Sequence, residues 1–354
     1  MRAWAVVENG APLQEIELPT PEPTGTQVLL ETTYCGVCHS DLHIWEGRYD
    51  LGGGKFMNLG DRGVKLPLAL GHEIVGRVVK LGPEATGVAV GDIRIVFPWV
   101  GCGTCQACLA DEDNMCVVAS RSLGVYANGG YGTHVIAQHP RHLVDPGTLD
   151  LAVAATYACS GITVFSAIKK VMPMPVDEPI VLVGAGGLGL NAIAVLKALG
   201  HKNIVVVDIS AEKRAAAEKA GATTTVDGSG EGVTKRIMDA CGGAASAIID
   251  LVNGTASARF AFDALRKGGK LVQVGLFGGE LTLALPLMPI RALTVQGSYV
   301  GNVKELRELV KLAQGGGLEA LPVSTVPQSQ ANDALMRLRA GKITGRVVLK
   351  AEAA

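Results

Sequence analysis

Between Ile180 and Asp208 the chain reads "IVLVGAGGLGLNAIAVLKALGHKNIVVVD": an apolar run, a glycine turn, a helix-forming stretch and a second apolar run closed by an acid. Few folds accept that order. Gly184, Gly186 and Gly189 form GxGxxG between strand and helix, and Asp208 ends the next strand nineteen residues after Gly189, the spacing of a dinucleotide-binding βαβ unit. There the first glycine permits the tight turn, the second lets the backbone approach a pyrophosphate, and the third lets helix and strand pack closely. The helix N-terminus offers free N–H groups to phosphate. Asp208 is placed to accept from adenosine ribose hydroxyls and to repel a 2′-phosphate, which favours NAD over NADP, with Lys213 and Arg214 nearby. The plain alternative, a packing turn beside a solvated acid, does not account for the joint spacing.

The same alternation continues to about residue 300. "NIVVVD", "SAIIDLV", "KLVQVGL" and "LTVQGSY" read as buried strands, and "ATTTVD" as a weak one. "GLNAIAVLKALG", "AEKRAAAEKAG", "GVTKRIMDACG" and "TASARFAFDALRKGG" read as the helices between them, so the segment predicts a doubly wound parallel sheet. Up to about residue 155 the pattern differs. Short β-type runs punctuated by Gly and Pro ("RAWAVVE", "TQVLLETTY", "EIVGRVVKLG", "DIRIVF", "THVIAQ") predict a smaller, mostly β domain. The tail adds helices in "VKELRELVKLAQ" and "QSQANDALMRLRAG" and a last strand, "GRVVLK".

With 354 residues, 48% of them hydrophobic, the chain suffices for two cores, and 32 Lys plus Arg against 33 Asp plus Glu give no drive toward nucleic acid or anionic membrane. Small neutral partners fit better. Aromatic residues are only 4% while Gly reaches 46, which predicts Ala, Val and Leu cores cut by tight turns. Glu8 interrupts the start before any apolar core of a signal peptide forms, and the apolar stretch Ile180–Gly200 reads as strand, turn and helix rather than a membrane span. Eight cysteines, four of them clustered, then point to thiolate ligation in a reducing cytoplasm.

"GCGTCQACLADEDNMC" sets Cys102, Cys105, Cys108 and Cys116 within fifteen residues. Four thiolates can close a tetrahedron around zinc and leave no position for substrate, so such a site is structural. An iron–sulfur cluster also uses CxxCxxC, but the usual proline after the fourth cysteine is absent and the gap is longer. A catalytic zinc needs three protein ligands and an open position. Cys38 in "YCGVCHSDLH", His72 in "LALGHEIVG" and Cys159 in "YACSGIT" offer such a set from distant parts of the chain, although spacing alone does not join them.

"GVCHSDLH", "GHEIVGRVVKLG", "GCGTCQACLADEDNMC", "CSGIT" and "VGAGGLGL", in this order and over essentially the whole chain, resemble the zinc-dependent medium-chain alcohol dehydrogenases. The resemblance implies an α/β architecture in which a Rossmann NAD-binding domain, residues 159–301, interrupts a GroES-like, mostly β catalytic domain, residues 1–158 and 302–354. It implies a catalytic zinc on Cys38, His72 and Cys159, with Glu73 beside the metal and Asp41 orienting the ligating histidine. The four-cysteine cluster becomes the second, structural zinc of each subunit. Ser40 takes the alcohol proton and His43 passes it to solvent. His39 and Arg346 lie by the cofactor pyrophosphate and Lys213 by its ribose, while Gly187, Leu188, Val274 and Ser298 complete the cofactor contacts.

Tyr49, Trp99, Val125 and Tyr299 are expected to line the substrate pocket, beside a glycine-rich loop, "RYDLGGGKFMNLGDRGVKLPLAL". A pocket of that kind implies apolar primary, secondary, cyclic or aromatic alcohols. A polyol dehydrogenase or a carbonyl reductase of the same superfamily, and more distantly a non-catalytic nucleotide-binding protein, are the alternatives. The resemblance also implies a homo-oligomer, a tetramer before a dimer. Cys35 reads as a buried small residue, and Cys241, His134, His139, His142 and His201 as structural or exposed.

Overall fold

A computed structural model describes residues 1–319 and 321–352. Six strands form one parallel sheet in the order Thr224–Asp227, Ile204–Asp208, Ile180–Val183, Ala245–Asp250, Leu265–Gln273, Thr294–Gly297. Numbered along the chain this is 3-2-1-4-5-6, the doubly wound order, whose direction reverses beside Ile180–Val183 and opens a crevice at the carboxyl ends of the strands. Both faces are covered. Val181, Val183, Val205 and Val207 pack with Ile237 and Phe262, while Ile180, Leu182, Ile204 and Val206 pack on the opposite side with Ile193 and Leu196. All four side chains of Ile180–Val183 are buried, each contributing roughly 1.5–3 kcal/mol of transfer free energy.

Each predicted strand and helix of this region is present. The weak "ATTTVD" run is the edge strand, and the helix in "TASARFAFDALRKGG" is shorter than expected. It ends at Ala264, and Leu265 already begins the next strand, because Gly268 at φ +75 bends the chain onto the sheet.

A second, seven-stranded sheet joins residues from both ends of the chain. Its order is Leu143–Val144, Ile93–Val96, Glu73–Leu81, Val28–Gly36, Arg346–Lys350, Val323–Pro327, with His134–Ala137 also pairing Val28–Gly36. Register decides what comes together here. Gly36 lies opposite Glu73, so Cys38, just past one strand end, meets His72, just before its antiparallel partner. On the other side Val348 pairs with Gly36, which brings Arg346 to the same corner.

Between the two sheets runs Leu151–Val171, a helix the sequence patterns did not single out. Among the described residues this stretch, not Ile180–Gly200, is long and apolar enough to cross a membrane, yet 89% of its most apolar window is buried. It serves as a core helix. The π turn Tyr157–Gly161 accommodates an extra residue in its middle and carries Cys159.

Candidate active site

The helix His39–Glu46 follows directly on the Val28–Gly36 strand and is started by a capping box. Cys38 is its N-cap, and the Asp41 carboxylate reaches back to accept the Cys38 backbone N–H at 2.8 Å. Asp41, Leu42, Ile44 and Trp45 are buried, whereas Ser40 and His43, three residues apart and so neighbours on one face, stay half-buried toward the cleft. Gly47 at φ +74 ends the helix. A single carboxylate therefore caps the helix and serves the site, because Asp41 Oδ1 also stands 3.2 Å from His72 Nδ1. Gly71 N–H at 3.2 Å and the Tyr131 hydroxyl at 3.3 Å hold the same carboxylate in place.

One ligand atom from each of Cys38, His72 and Cys159 lies within 4.8 Å of the others, and all three residues are buried. The two sulfurs are 3.9 Å apart. His72 Nε2 is buried without a hydrogen-bond partner among the described residues, and a metal at the two neighbouring sulfurs would satisfy it. The hydrogen bond from Cys159 outweighs burial and holds the Cys38 thiol well below its ordinary range, while Cys159 is pushed well above its own. Burial opposes charge on His72, but Asp41 and Cys38 more than offset it and raise its pKa. A cation here replaces those protons, since ligation needs thiolates and neutral imidazole. Two sulfurs and one imidazole are a donor set that suits zinc held by three protein ligands.

Behind the trio, Glu73 is fully buried and pairs with Arg346, itself 6% exposed, and accepts the Ser160 N–H at 3.1 Å. Burial pushes the Glu73 carboxyl up while Arg346 pulls it back. Gly36 has to be glycine at this spot, because a Cβ there would meet Glu73 Oε2 at 2.0 Å. Arg346 extends to the glycine turn of the parallel sheet, where a Cβ on Gly187 would lie 2.5 Å from Arg346 Cδ.

That turn has the geometry a pyrophosphate needs. Gly184 sits at φ +103, a Cβ on Gly189 would strike Gly184 O at 2.1 Å, and the Cβ direction of Gly186 faces open space. Asp208 accepts the N–H groups of Ala185 and Ser210, each at 2.8 Å, at the mouth of the turn. Arg214 is turned away, bound to the Asp208 carbonyl at 2.8 Å and to Asp227 at 3.4 Å. Lys213 and Arg346 are within electrostatic reach of the exposed His39. Leu188 is half-buried in the first turn of the helix, and Val274 and Ser298 follow the carboxyl ends of two strands, with Ser298 Oγ buried and unpartnered among the described residues.

Three expected pocket residues form a row: Trp99 packs 5.1 Å from the His72 ring, Tyr299 meets Trp99 edge-on at 6.0 Å, and Tyr49 lies 4.9 Å from His43. Trp99 donates to the Ala158 carbonyl at 3.0 Å, next to Cys159. Val125 packs on the apolar cluster that holds Cys38, Trp99 and Cys159. Tyr126, which sequence reasoning missed, stands near Tyr49 and Tyr299. Burial is the main cause that pushes the Tyr49 phenol upward, with both tyrosines adding to it. Its only sequence signal was adjacency to Val125. The glycine-rich loop is partly ordered into the hairpin Arg48–Asp50/Phe56–Asn58.

Cys102, Cys105, Cys108 and Cys116 also bring one sulfur each within 4.8 Å of the others, and backbone N–H groups of Thr104 and Cys105 point at Cys102 Sγ at 3.4 and 3.3 Å. All eight cysteines are free thiols. Cys35 is fully buried and His142 and His201 are buried, while His139 is exposed and His134 and Cys241 are intermediate.

Two family models match the chain: "Alcohol dehydrogenase GroES-like domain" over residues 24–146 and "Zinc-binding dehydrogenase" over residues 187–315. An NAD-dependent alcohol dehydrogenase of Sulfurisphaera tokodaii is 37% identical over 350 residues, covering 99% of each chain. The crystal structure of an alcohol dehydrogenase from Aeropyrum pernix superposes with a TM-score of 0.89 at 30% identity, covering 99% of this chain and 100% of that one. A D-arabinose dehydrogenase from Sulfolobus solfataricus superposes with a TM-score of 0.82 at 26% identity, covering 99% and 98%.

Proposed function

Because the chain belongs to the zinc-type medium-chain alcohol dehydrogenases, we propose that it oxidises apolar primary and secondary alcohols, cyclic and aromatic ones included, to aldehydes and ketones, and runs the reverse reduction. NAD-dependent alcohol dehydrogenase is the activity of its full-length relatives and of this chain. The observation that carries the assignment of the site is the buried Cys38, His72 and Cys159 set with its orphaned imidazole nitrogen.

Zinc on these three residues supplies a Lewis acid that makes an alcohol hydroxyl acidic near neutral pH, and NAD on the glycine turn supplies the hydride acceptor. The chain's own residues do the rest. Asp41 fixes the His72 ring and tautomer. Ser40 accepts the hydroxyl proton and His43, one turn on, carries it to solvent, so the reacting carbon stays away from bulk water. Arg346 and the N–H groups at Gly187 and Leu188 would bind the pyrophosphate with support from His39 and Lys213, Asp208 would select the unphosphorylated ribose, and Val274 and Ser298 would complete the cofactor contacts. Trp99, Tyr49, Val125 and Tyr299 supply the apolar wall. Glu73 neutralises Arg346 behind the metal.

The four-cysteine lobe holds the second, structural zinc of each subunit. The strand pairing supports a catalytic domain of residues 1–158 and 302–354 and a cofactor domain of 159–301, with Leu151–Val171 running through the junction. Eight free thiols fit a reducing cytoplasm. Thr294–Gly297, one of the two edge strands of the parallel sheet, and the exposed Leu285 and Ile290 that precede it in the chain support assembly into a homo-oligomer, a tetramer before a dimer.

NADH formation from NAD with ethanol, longer primary, secondary, cyclic and benzylic alcohols, alongside a chelator-treated aliquot, tests the assignment. Chelator-sensitive turnover rising with apolar size is expected, and silence across the series from protein that binds NAD would refute it. A polyol or sugar substrate is the second reading, supported by the three phenols of Tyr49, Tyr126 and Tyr299 and by the likeness to the D-arabinose dehydrogenase. The same assay with pentoses and polyols separates the two.

The relay has its own test. Burial, aided by His39, holds His43 below 6.5, so the ring is neutral and ready to accept a proton at pH 7, and oxidation should slow as pH falls through its pKa. His43→Ala should lose that acid limb and slow oxidation roughly 10- to 100-fold at neutral pH. A wild-type pH profile in the variant would remove His43 from the relay.

A further inference from the structure

In the run Asp111-Glu112-Asp113-Asn114 of the four-cysteine lobe each of the four side chains has a partner outside the lobe, Arg141 being shared by Asp111 and Asp113. Asp111 meets Arg141 at 3.1 Å and Lys304 at 3.4 Å. Glu112 accepts from Asn302 Nδ2 at 2.8 Å, and the fully buried Asp113 side chain meets Arg141 at 2.8 Å and His142 at 3.4 Å. Asn114 donates through Nδ2 to the carbonyl of Tyr299 at 3.2 Å. The bonds to Arg141, His142, Asn302 and Lys304 stay within the lobe's own domain, and only that from Asn114 reaches across to the segment of Tyr299.

The gripped segment is under strain. Val300 has φ +41, a left-handed conformation that a β-branched residue does not hold without support from its surroundings. The peptide before it is held by Asn114. The residue two beyond it, Asn302, caps the helix Val303–Gln314 through Glu305 and is tied to Glu112. Tyr299, on the near side of this kink and 53% exposed, meets Trp99 edge-on, and Trp99 in turn lies against the His72 ring. The gripping residues lie between Cys108 and Cys116, both members of the four-sulfur cluster, so the cluster fixes the segment that grips.

We propose that Asn114 is a positioning residue for substrate size: through the Tyr299 carbonyl and the strained Val300 it holds the Tyr299 ring, and the four-cysteine lobe thereby sets the acceptance of bulky alcohols. This rests on the alcohol dehydrogenase reading above. It gives the lobe a task at the cleft besides stability, and it predicts that Asn114, half-buried and 3.2 Å from a main-chain carbonyl, matters in proportion to the size of the substrate.

The test is Asn114→Ala and Tyr299→Ala, singly and together, in the zinc-loaded enzyme. In Asn114→Ala the ratio of kcat/KM for benzyl alcohol to that for ethanol should fall about two- to threefold, the low end of what one neutral hydrogen bond is worth because this one is exposed, through KM rather than kcat. Zinc content and the KM for NAD should stay at wild-type values. Benzamide, an unreactive stand-in for an aromatic aldehyde, should bind the NADH complex correspondingly more weakly by calorimetry, with acetamide unaffected. In the Tyr299→Ala background Asn114→Ala should change neither ratio further, because its effect passes through that ring.

An unchanged ratio, an equal loss on all alcohols with loss of zinc, or an undiminished loss in the Tyr299→Ala background would overturn the proposal. A wild-type enzyme silent on every alcohol overturns the alcohol reading itself, and the proposal with it. Active wild type with an indifferent Asn114→Ala overturns the proposal alone.

Discussion

Cys38→Ser is expected to lower turnover by at least about 10³-fold, while NAD affinity stays within a factor of about two. The first half follows from what a Lewis acid contributes. Several kcal/mol of charge stabilisation are lost with the metal, at 1.36 kcal/mol per tenfold in rate. A serine hydroxyl is a neutral, harder donor and does not replace a thiol whose ionisation Cys159, and less strongly His72, already favour. The second half follows from where the residue sits. Helix His39–Glu46 is capped through the Cys38 backbone N–H and Asp41, which serine keeps, and the glycine turn belongs to the other sheet. Zinc per subunit, the NAD dissociation constant and the rate, measured on one preparation, check all three. Zinc content lower by one ion with more than a tenth of wild-type activity would sink the assignment.

Glu73→Ala should destabilise the cofactor-free protein by about 3–5 kcal/mol, the cost of leaving one partner of a buried ion pair alone. Arg346 cannot relieve the loss by releasing its proton, since a guanidinium stays charged at any relevant pH. It is 6% exposed, so water screens it poorly, and the Ser160 N–H loses its acceptor as well. Saturating NAD should restore a good part of the loss, because the pyrophosphate offers Arg346 a second anion and ligand binding adds its own stabilisation. The check is thermal unfolding of wild type and variant with and without NAD. An equal deficit in both conditions would mean that Arg346 does not face the phosphates.

Much of this was legible in one dimension because the signals are local. The glycine turn and its flanking strands are local, since GxGxxG, the apolar runs and the terminal acid are all consequences of one βαβ unit. The four-cysteine cluster is local too, its sulfurs being close along the chain before folding. The end of the helix predicted in "TASARFAFDALRKGG" was less legible. "DALRKGG" carries helix-forming residues up to Gly268, and the competition was decided at Ala264 by pairing with Ala245–Asp250, a contact about twenty residues away. The helix Leu151–Val171 went unread because it is buried all round and shows no polar stripe.

What the sequence determined by itself was therefore the doubly wound sheet, the dinucleotide turn and the clustered thiolates, each written within a few dozen residues. Cys38, His72 and Cys159 were nominated by a family resemblance rather than by any local pattern. Only the tertiary structure decided that they share one buried volume, through the Gly36–Glu73 register and a π turn between the sheets. It also made the run Asp111-Glu112-Asp113-Asn114 a set of anchors reaching Tyr299 and Asn302. Contacts of that kind join residues nearly two hundred positions apart, and no periodicity records them, because a hydrogen bond between distant side chains leaves no trace in the spacing of either neighbourhood.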